Sequence, residues 1–444
     1  MNAIATTLEK YQQLIESQRH QLPGAQLPWL QTQREQAEQR ILKMGFPTRK
    51  SEAWRYTNVD SLLNKTFIPS VSQDDAVARL AYADLLAEAQ THRIVFVNGR
   101  YSAQLSNLKD LPLGIYISGL QQAMVERSDV IQKILANSQT DEFHVFNDLN
   151  TALFHDGVVF YVEENVQLQE PIEVIYLASG DGDAYVMSPR NFVCLESGAK
   201  ATLIERYAGE HAGAYFTNGL SEIVLNTAAQ LFHYRLQEES STAYHISTLF
   251  VHHEAQSQYQ GNTIVLGASW SRTDYNVNFH GEYAHNQLDG LYLVKDKQLA
   301  DIHLNIHHGV PHCSSEQDFR GILLGTGRGV FDGLINVAKQ AQKTEAHLHN
   351  ANLMLSRNAE VDTKPQLLIY ADDVKCSHGT TVGQLEPEQL FYLRSRGISE
   401  AEAKKMLCVG FAQAVLDKCT VEALRVKAEN ALNDSLLNIS VANI

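Results

Sequence analysis

A thiol and an imidazole lie two residues apart in the segment from Ala371 to Gly383, Ala-Asp-Asp-Val-Lys-Cys-Ser-His-Gly-Thr-Thr-Val-Gly. If this segment is extended, Cys376 and His378 point to the same side of a strand, about 7 Å apart and within reach of one ligand. A complete structural metal site normally has about four protein ligands. The pair therefore predicts part of a ligand set, with the remaining groups supplied by the rest of the chain, a partner or the bound cargo.

Cys376 is also the candidate nucleophile of the chain. A neighbouring cationic group, from His378 or Lys375, could lower the thiol pKa and so raise its reactivity. The five cysteines are scattered and form no Cys-x-x-Cys pair, so the sequence predicts free thiols rather than a disulfide framework.

A second set of candidate ligands lies between Asp301 and Cys313, in Asp-Ile-His-Leu-Asn-Ile-His-His-Gly-Val-Pro-His-Cys. Extended geometry places Asp301, His303, Asn305 and His307 on one strand face, as in a metal-binding strand. A polar strand face more often contacts water or another chain than a metal ion, and the 18 histidines are spread over the whole sequence. A metal-dependent enzyme that uses His303 and His307 is therefore the alternative function.

The composition and motifs argue against several classes of function. A net charge of −15 argues against nucleic acid or an anionic membrane as the main partner, because both favour clustered Lys and Arg. The glycine-rich residues 325–329 lack the Lys and Ser or Thr of a phosphate-binding loop, so no nucleotide site of its own is predicted. The start of the chain lacks signal-peptide features and no apolar run is long enough to span a bilayer, which favours a cytoplasmic protein.

Three zones with different hydrophobic periods follow one another along the chain. Residues 1–155 are predicted to be mainly helical, and within them residues 47–57 form a polar connector pinned by Trp54 and Tyr56. Residues 156–384 are predicted to form a mainly β body, because short β-branched or aromatic runs alternate there with Gly, Asn or Asp. Residues 385–444 return to helical spacing.

The mainly β body is a sandwich, a barrel or a solenoid. Small residues recur before a strand at 198–201, 227–229 and 267–269, a spacing of about 30 to 40 residues that is typical of stacked turns. Because strong hairpin turns are few, we predict the solenoid. The predicted strands are 158–162, 172–176, 201–206, 223–225, 230–236, 244–250, 263–266, 275–279 and 290–294.

Several segments resemble the SufB/SufD family of iron–sulfur cluster assembly scaffolds. They are residues 330–337 (Val-Phe-Asp-Gly-Leu-Ile-Asn-Val), 352–355 (Asn-Leu-Met-Leu), 359–367 (Ala-Glu-Val-Asp-Thr-Lys-Pro-Gln-Leu), 371–383 and 391–398 (Phe-Tyr-Leu-Arg-Ser-Arg-Gly-Ile). Residues 47–57, with a Lys-x-Glu-x-Trp-x-Tyr-Thr core, and 96–101 (Phe-Val-Asn-Gly-Arg-Tyr) resemble the N-terminal domain of the SufD branch.

This resemblance implies an N-terminal helical domain over residues 1–155, a right-handed parallel β-helix over 156–384 and a C-terminal helical domain over 385–444. It also implies a scaffold subunit rather than an enzyme. In that family, SufB and SufD pair through their β-helices, and each binds one SufC ATPase through C-terminal helices, which here contain Phe391, Tyr392, Arg394 and Arg396. A homodimer of the isolated chain is left open.

For the site, the resemblance implies that His378 lies at the interface with SufB, where a SufB cysteine supplies the companion ligand of a nascent iron–sulfur cluster or its iron. Cys376 is the neighbouring motif residue, with a less direct role. A third interpretation remains open, in which the chain is a purely structural β-solenoid and this pair is incidental.

Overall fold

Left-handed turn residues followed by buried alanines mark the repeat that the small-residue spacing predicts. Gly198 and Ala228, with φ values of 69° and 59°, lie at the same corner of successive turns, whereas Ala268, with φ 67°, lies at a different corner, before a strand of the other sheet. Ala199 and Ala229, which follow the first two, are 0% exposed. The turns reverse the chain at the start of strands, and the small side chains let successive turns stack closely. The predicted solenoid is confirmed: the chain is mainly β, with a β-solenoid of about eight turns flanked by N-terminal and C-terminal helices.

The structure describes residues 3–70, 75–90, 92–137, 144–180, 182–209 and 212–437. The helices are α1 (Ala3–Gln18), α2 (Pro28–Met44), α3 (Asp60–Leu63), α4 (Asp75–Ala81), α5 (Ala83–Glu88), α6 (Leu120–Glu126), α7 (Ser128–Asn137), α8 (Val145–Leu153), α9 (Pro387–Ser395), α10 (Glu400–Leu416) and α11 (Glu422–Leu437), with a 3₁₀ turn at Glu52–Trp54.

The strands outside the repeating part are β1 (Ile68–Pro69), β2 (His92–Val97), β3 (Arg100–Tyr101) and β4 (Ile115–Gly119). They are followed by β5 (Val158–Val162), β6 (Ile172–Leu177), β7 (Tyr185–Met187), β8 (Arg190–Leu195), β9 (Lys200–Ala208), β10 (Tyr215–Leu225), β11 (Gln230–Glu238), β12 (Tyr244–His253), β13 (Gln258–Val265), β14 (Trp270–Phe279), β15 (His285–Val294), β16 (Leu299–His308), β17 (Ser314–Leu323), β18 (Arg328–Val337), β19 (Glu345–Met354), β20 (Glu360–Ile369) and β21 (Lys375–Gly383).

The strands are longer than their apolar runs. Residues 223–225, for example, form only the end of β10, which begins at Tyr215 and is buried along its whole length. Its other buried residues include Thr217, Asn218 and Glu222, so polar side chains interrupt the hydrophobic pattern by which the strand was predicted. Burial between the solenoid and the helices outside it, rather than residue type, keeps this segment extended.

Two sheets face each other across the solenoid, and their strands are parallel except where β4 joins β5 and β3 joins β2. Sheet A runs β20-β18-β16-β14-β12-β10-β8-β5-β4, and sheet B runs β21-β19-β17-β15-β13-β11-β9-β6-β2-β3. Strands β2, β3 and β4 therefore extend the sheets into the first 155 residues. The domain boundaries at residues 155 and 384 remain predictions.

The interior between the sheets is mostly apolar but contains a buried polar network. Glu205 and Arg235 form an ion pair at 3.1 Å, with 0% and 5% of their side chains exposed. Arg235 also donates to Ser247 at 3.2 Å, and Tyr207 donates to Glu205 at 3.0 Å. These buried charges are tolerated because each has a partner of opposite charge and further hydrogen bonds.

Most N-terminal helices cover sheet A and the C-terminal helices cover sheet B, where the N-terminal helices α4 and α5 also pack. N-terminal residues such as Trp54 and Phe146 pack with Phe216 and Trp270 of sheet A. C-terminal helices α10 and α11 pack instead on sheet B, where Leu416 belongs to a separate apolar cluster. Within the described ranges, no helix has the length and apolar character needed to cross a membrane.

Local signals set the helix ends. Gly45, with φ 71°, ends α2, and its backbone N–H donates to the Ile41 carbonyl. The Ser399 side chain accepts a hydrogen bond from the Glu402 backbone N–H at 3.2 Å and so caps the start of α10.

Candidate functional site at the open end of the solenoid

The last turn of the solenoid leaves two strand edges without a neighbour among the described residues. Strand β20 is the terminal strand of sheet A and β21 is the terminal strand of sheet B. Each pairs on one side, β20 with β18 and β21 with β19. Their other edges form the open end of the solenoid, and this is where the Cys376 and His378 motif lies.

Alternate main-chain groups of a parallel strand point to opposite edges, so the outward groups can be assigned. Lys375 N–H donates to the Thr344 carbonyl, which directs the odd-numbered residues of β21 toward β19. The N–H and C=O groups of Cys376, His378 and the even-numbered residues after them therefore point to the open edge. In β20 the Glu360 N–H donates to the Gly327 carbonyl, so the odd-numbered residues there face outward.

The open edge of β20 is interrupted at its centre. Pro365 occupies one of its outward positions, and proline has no N–H to offer a further strand. The equivalent positions on β21 carry no proline, so that edge has an uninterrupted row of donors and acceptors. Thr363 and Thr380 connect the two strands through a hydroxyl contact of 3.0 Å.

Cys376 and His378 share the inward-facing register of β21. They pair with Ala346 and Leu348, which are both part of the interior apolar core. Cys376 is half-buried and packs against that core, whereas His378 is exposed because no further turn covers it. The motif thus places an imidazole at the mouth of the solenoid interior.

The His378 imidazole is available as a ligand. Within the described part of the chain it has no hydrogen bond, ion pair or ring contact. By contrast, Nδ1 of the nearby His347 lies 2.7 Å from the Ser377 hydroxyl, and Nδ1 of His349 lies 3.0 Å from an Asp318 carboxylate oxygen. A neutral imidazole with unused ring nitrogens is a common ligand for iron, zinc and copper.

The surroundings of the Cys376 thiol disfavour the thiolate form that a nucleophile requires. Burial raises the pKa of Cys376, and only the main chain of Ala346 acts to lower it. The idea that His378 or Lys375 activates this thiol by lowering its pKa is therefore wrong for the isolated chain. A thiol with a raised pKa is mostly protonated near neutral pH and is a poor nucleophile.

His303 lies in a different environment, on the outer face of sheet A. Its Nε2 is 2.8 Å from Asp301, and Asp301 also pairs with Arg272 at 3.2 Å. Arg272 donates to Asp274 as well, at 2.7 Å. The guanidinium thus neutralises the carboxylates that a cation would need, so the geometry does not favour a metal ion at His303.

His307 lies on the same strand and is half-buried. Burial is the main cause that lowers the pKa of His307, and the nearby His280 lowers it further. No group of three or more His, Cys, Asp or Glu side chains within the described residues is arranged to hold a metal ion.

The residues named for partner docking lie on α9 and just beyond its end. Phe391 and Tyr392 are 74% and 57% exposed, large values for aromatic side chains. Arg394 lies 3.5 Å from Glu400 of α10, and the Arg396 guanidinium lies 5.3 Å from the centre of the Tyr392 ring.

Residues 52–57 make long-range contacts that the local sequence pattern does not predict. Trp54 is buried, as the connector prediction implies, but its principal contact is Arg272, whose guanidinium lies 3.8 Å from the indole centre. Glu52 pairs with Lys364 of β20 at 2.9 Å. Local spacing gives no signal for this pairing, because the two residues are 312 positions apart.

Family models match nearly the whole chain. Residues 5–174 match the SufBD protein N-terminal region, and residues 176–411 match the SufBD core domain of the SUF system for FeS cluster assembly. The chain belongs to the SufBD family. The core-domain match contains both open-edge strands and the segment with Cys376 and His378.

Curated relatives of this SufBD family member cover most of its length. An iron–sulfur cluster assembly SufBD family protein of Synechocystis is 32% identical over 430 residues, covering 95% of this chain and 94% of the relative. The iron–sulfur cluster assembly protein SufD of Escherichia coli is 32% identical over 400 residues, covering 88% and 90%. SufD of Bacillus subtilis is 24% identical over 425 residues, covering 92% and 93%.

Proposed function

We propose that this chain is a SufD-like, non-catalytic scaffold subunit on which nascent iron–sulfur clusters are assembled at an interface with a SufB-like partner. The observation that carries the proposal is the exposed imidazole of His378, which has no partner among the described residues and lies beside a strand edge that none of them pairs with. One imidazole cannot complete the coordination of iron, so the remaining ligands come from the partner chain and the cargo.

The open end supports pairing through main-chain groups as well as side chains. A partner strand that adds to β21 would satisfy the outward N–H and C=O groups of Cys376 and His378. The same addition would place partner side chains next to the imidazole, because neighbouring strands lie about 4.8 Å apart. When the partner strand docks, the surroundings of the nearby Cys376 thiol change, and its protonation changes with them.

The C-terminal helices are proposed to bind a SufC-like ATPase. Phe391 and Tyr392 provide exposed aromatic surface on α9, and Arg394 and Arg396 lie beside them. Aromatic and arginine side chains commonly dominate the binding energy of protein interfaces. Nucleotide-driven movement of the ATPase would alter the placement of the two scaffold chains and so open or assemble the site at their interface.

The ligand role of His378 is tested in the complex co-expressed with its SufB-like and SufC-like partners. We expect His378→Ala to lower iron and acid-labile sulfide per complex severalfold, while the complex still assembles. His349→Ala is the matched control, because that half-buried histidine lies on the adjacent strand β19 and is paired with Asp318. Unchanged iron and sulfide in the His378 variant would contradict the proposed role.

Docking of the ATPase is tested by charge reversal. We expect Arg394→Glu or Arg396→Glu to weaken capture of the SufC-like subunit about tenfold or more, with the SufB-like partner retained. Arg425→Glu on α11 is the control, since this residue pairs with Asp417 within the C-terminal helices. Full retention of the ATPase by both α9-region variants would show that these arginines serve only internal contacts.

A further inference from the structure

Residues 52–57 are fixed to the outer face of sheet A by a buried network. The Arg272 guanidinium stacks on Trp54 and donates to the Ala53 carbonyl at 2.7 Å. The Thr57 hydroxyl donates to Asp301 at 2.5 Å. Arg272 and Asp301 belong to β14 and β16, so the segment is joined to two successive turns of the solenoid.

This network has the properties of a rigid anchor. Arg272 is 1% exposed and Asp301 is 0% exposed, and the guanidinium bonds to Asp274 and Asp301 as well as to the segment. A buried arginine with carboxylate partners and an aromatic face against it has few alternative conformations. The position of Glu52, two residues before Trp54, is therefore set by contacts within the solenoid body.

Glu52 extends from this anchor to the terminal strand. Its carboxylate pairs with Lys364 on β20 at 2.9 Å, and the ammonium group also lies 3.6 Å from Asp332 on β18. Lys364 is adjacent in sequence to Pro365, the residue that interrupts the open edge. A groove of about 490 Å³ lies between the segment and the outer faces of these strands.

We infer that residues 52–57 act as a clasp in which Glu52 is a positioning residue for strand β20 at the open end. The inference rests on the proposed function, since it concerns the surface that receives the partner chain. The clasp holds one edge of the last turn through Lys364, so that β20 and β21 present a preformed surface. A preformed edge binds more tightly because less ordering is required when the partner docks.

Because the ion pair between Glu52 and Lys364 is accessible to solvent, its effect on the position of β20 can be distinguished from an effect on global stability. The Glu52 side chain is 82% exposed and Lys364 is 30% exposed. Ion pairs at such exposure contribute little to global stability. The effect of Glu52 is therefore expected at the terminal strand and in partner affinity, with the midpoint of unfolding nearly unchanged.

The clasp is tested with Glu52→Gln in the full-length chain. Hydrogen exchange measured by mass spectrometry should be faster in peptides that cover residues 360–369. Affinity for the co-purifying scaffold partner should fall about two- to fivefold, the range expected for loss of one exposed ion pair. Lys364→Gln should give the same changes, and the double variant should be no weaker than either single variant.

Glu360→Gln is the matched control. Glu360 lies on the same strand and pairs with Arg328 at 3.0 Å, but this contact is within the solenoid and does not involve residues 52–57. It should leave partner affinity unchanged. Equal effects of Glu52→Gln and Glu360→Gln, or no effect of Glu52→Gln on exchange and affinity, would overturn the inference.

The outcome is independent of the cluster role of His378. The proposed function predicts that His378→Ala loses cluster but keeps the partner, whereas the clasp predicts that Glu52→Gln weakens the partner and leaves His378 in place. Normal cluster content in the His378→Ala variant would contradict the ligand role of His378. The clasp would still be tested by partner affinity and by hydrogen exchange of residues 360–369.

Discussion

At the scale of single residues, the two members of the motif are in different chemical states. His378 is exposed and unpartnered within the described residues, whereas Cys376 packs against the interior core. Burial disfavours the thiolate of Cys376, because a buried charge loses hydration. The isolated chain therefore presents an exposed imidazole beside a thiol that is mostly protonated near neutral pH.

The state of Cys376 predicts slow alkylation that depends steeply on pH. Because its pKa is raised above the ordinary value, the thiolate fraction is small at pH 7 and grows as the pH rises through 9. The rate with iodoacetamide, followed by mass spectrometry on the isolated chain, should stay below that of N-acetylcysteine at pH 7. Cys376→Ser identifies the modified site, and a rate that is already at its plateau at pH 7 would show an activated thiolate.

At the scale of elements, each terminal strand has an open edge, and Pro365 interrupts the edge of β20. An unpaired parallel edge is a template for any other strand, and natural proteins restrict such edges with proline or charge. Pro365 removes an outward N–H from the middle of β20, while β21 keeps its full row. The two edges are thus unequal, which favours strand addition at β21.

Restoring the missing donor should make the isolated chain associate more readily with itself. We expect Pro365→Val to shift sedimentation velocity profiles toward larger species at lower protein concentration than wild type, because the β20 edge then has a continuous row of N–H groups. Leu367→Val is the control, since it changes the neighbouring outward position of the same strand without adding a donor. Identical profiles for the two variants would show that Pro365 does not limit edge pairing.

At the scale of the whole molecule, helices attach to both sheets of one solenoid. Helices α1, α3 and α8 pack on sheet A through the cluster that includes Trp54 and Phe216, whereas α4 and α5 pack on sheet B. The C-terminal helices pack on sheet B, where Asn262 donates to the Val415 carbonyl at 2.9 Å and Arg320 donates to the Phe411 carbonyl at 2.9 Å. The proposed ATPase-docking surface is therefore attached to the same sheet that ends in β21.

This attachment predicts that the C-terminal helices can open without loss of the solenoid. Leu416 is 0% exposed within its apolar cluster, so Leu416→Ala should weaken docking of α10 and α11 by about 2–5 kcal/mol. Hydrogen exchange should quicken in both helices while β11 and β13 stay protected. Met406→Ala on the same helix, where the side chain is 46% exposed, should have little effect. Exchange that quickens equally in the strands would indicate a single cooperative unit.

The sequence by itself determined the order of helical and β regions and the relative placement of Cys376 and His378. Alternating apolar residues, left-handed turn positions such as Ala228 and the cap at Ser399 act over a few residues, so the solenoid and the helix starts follow from local rules. The two-residue spacing likewise put Cys376 and His378 on one side of β21.

Only the tertiary structure decided which strand edges are open, how burial acts on the Cys376 thiol and what residues 52–57 contact. Exposure of His378 depends on the absence of another turn beyond β21 within the described chain, and the raised pKa of Cys376 depends on the core beneath it. The pairing of Glu52 with Lys364 joins positions 312 residues apart. These features arise from the stacking order of the turns, a long-range property that local residue spacing does not encode.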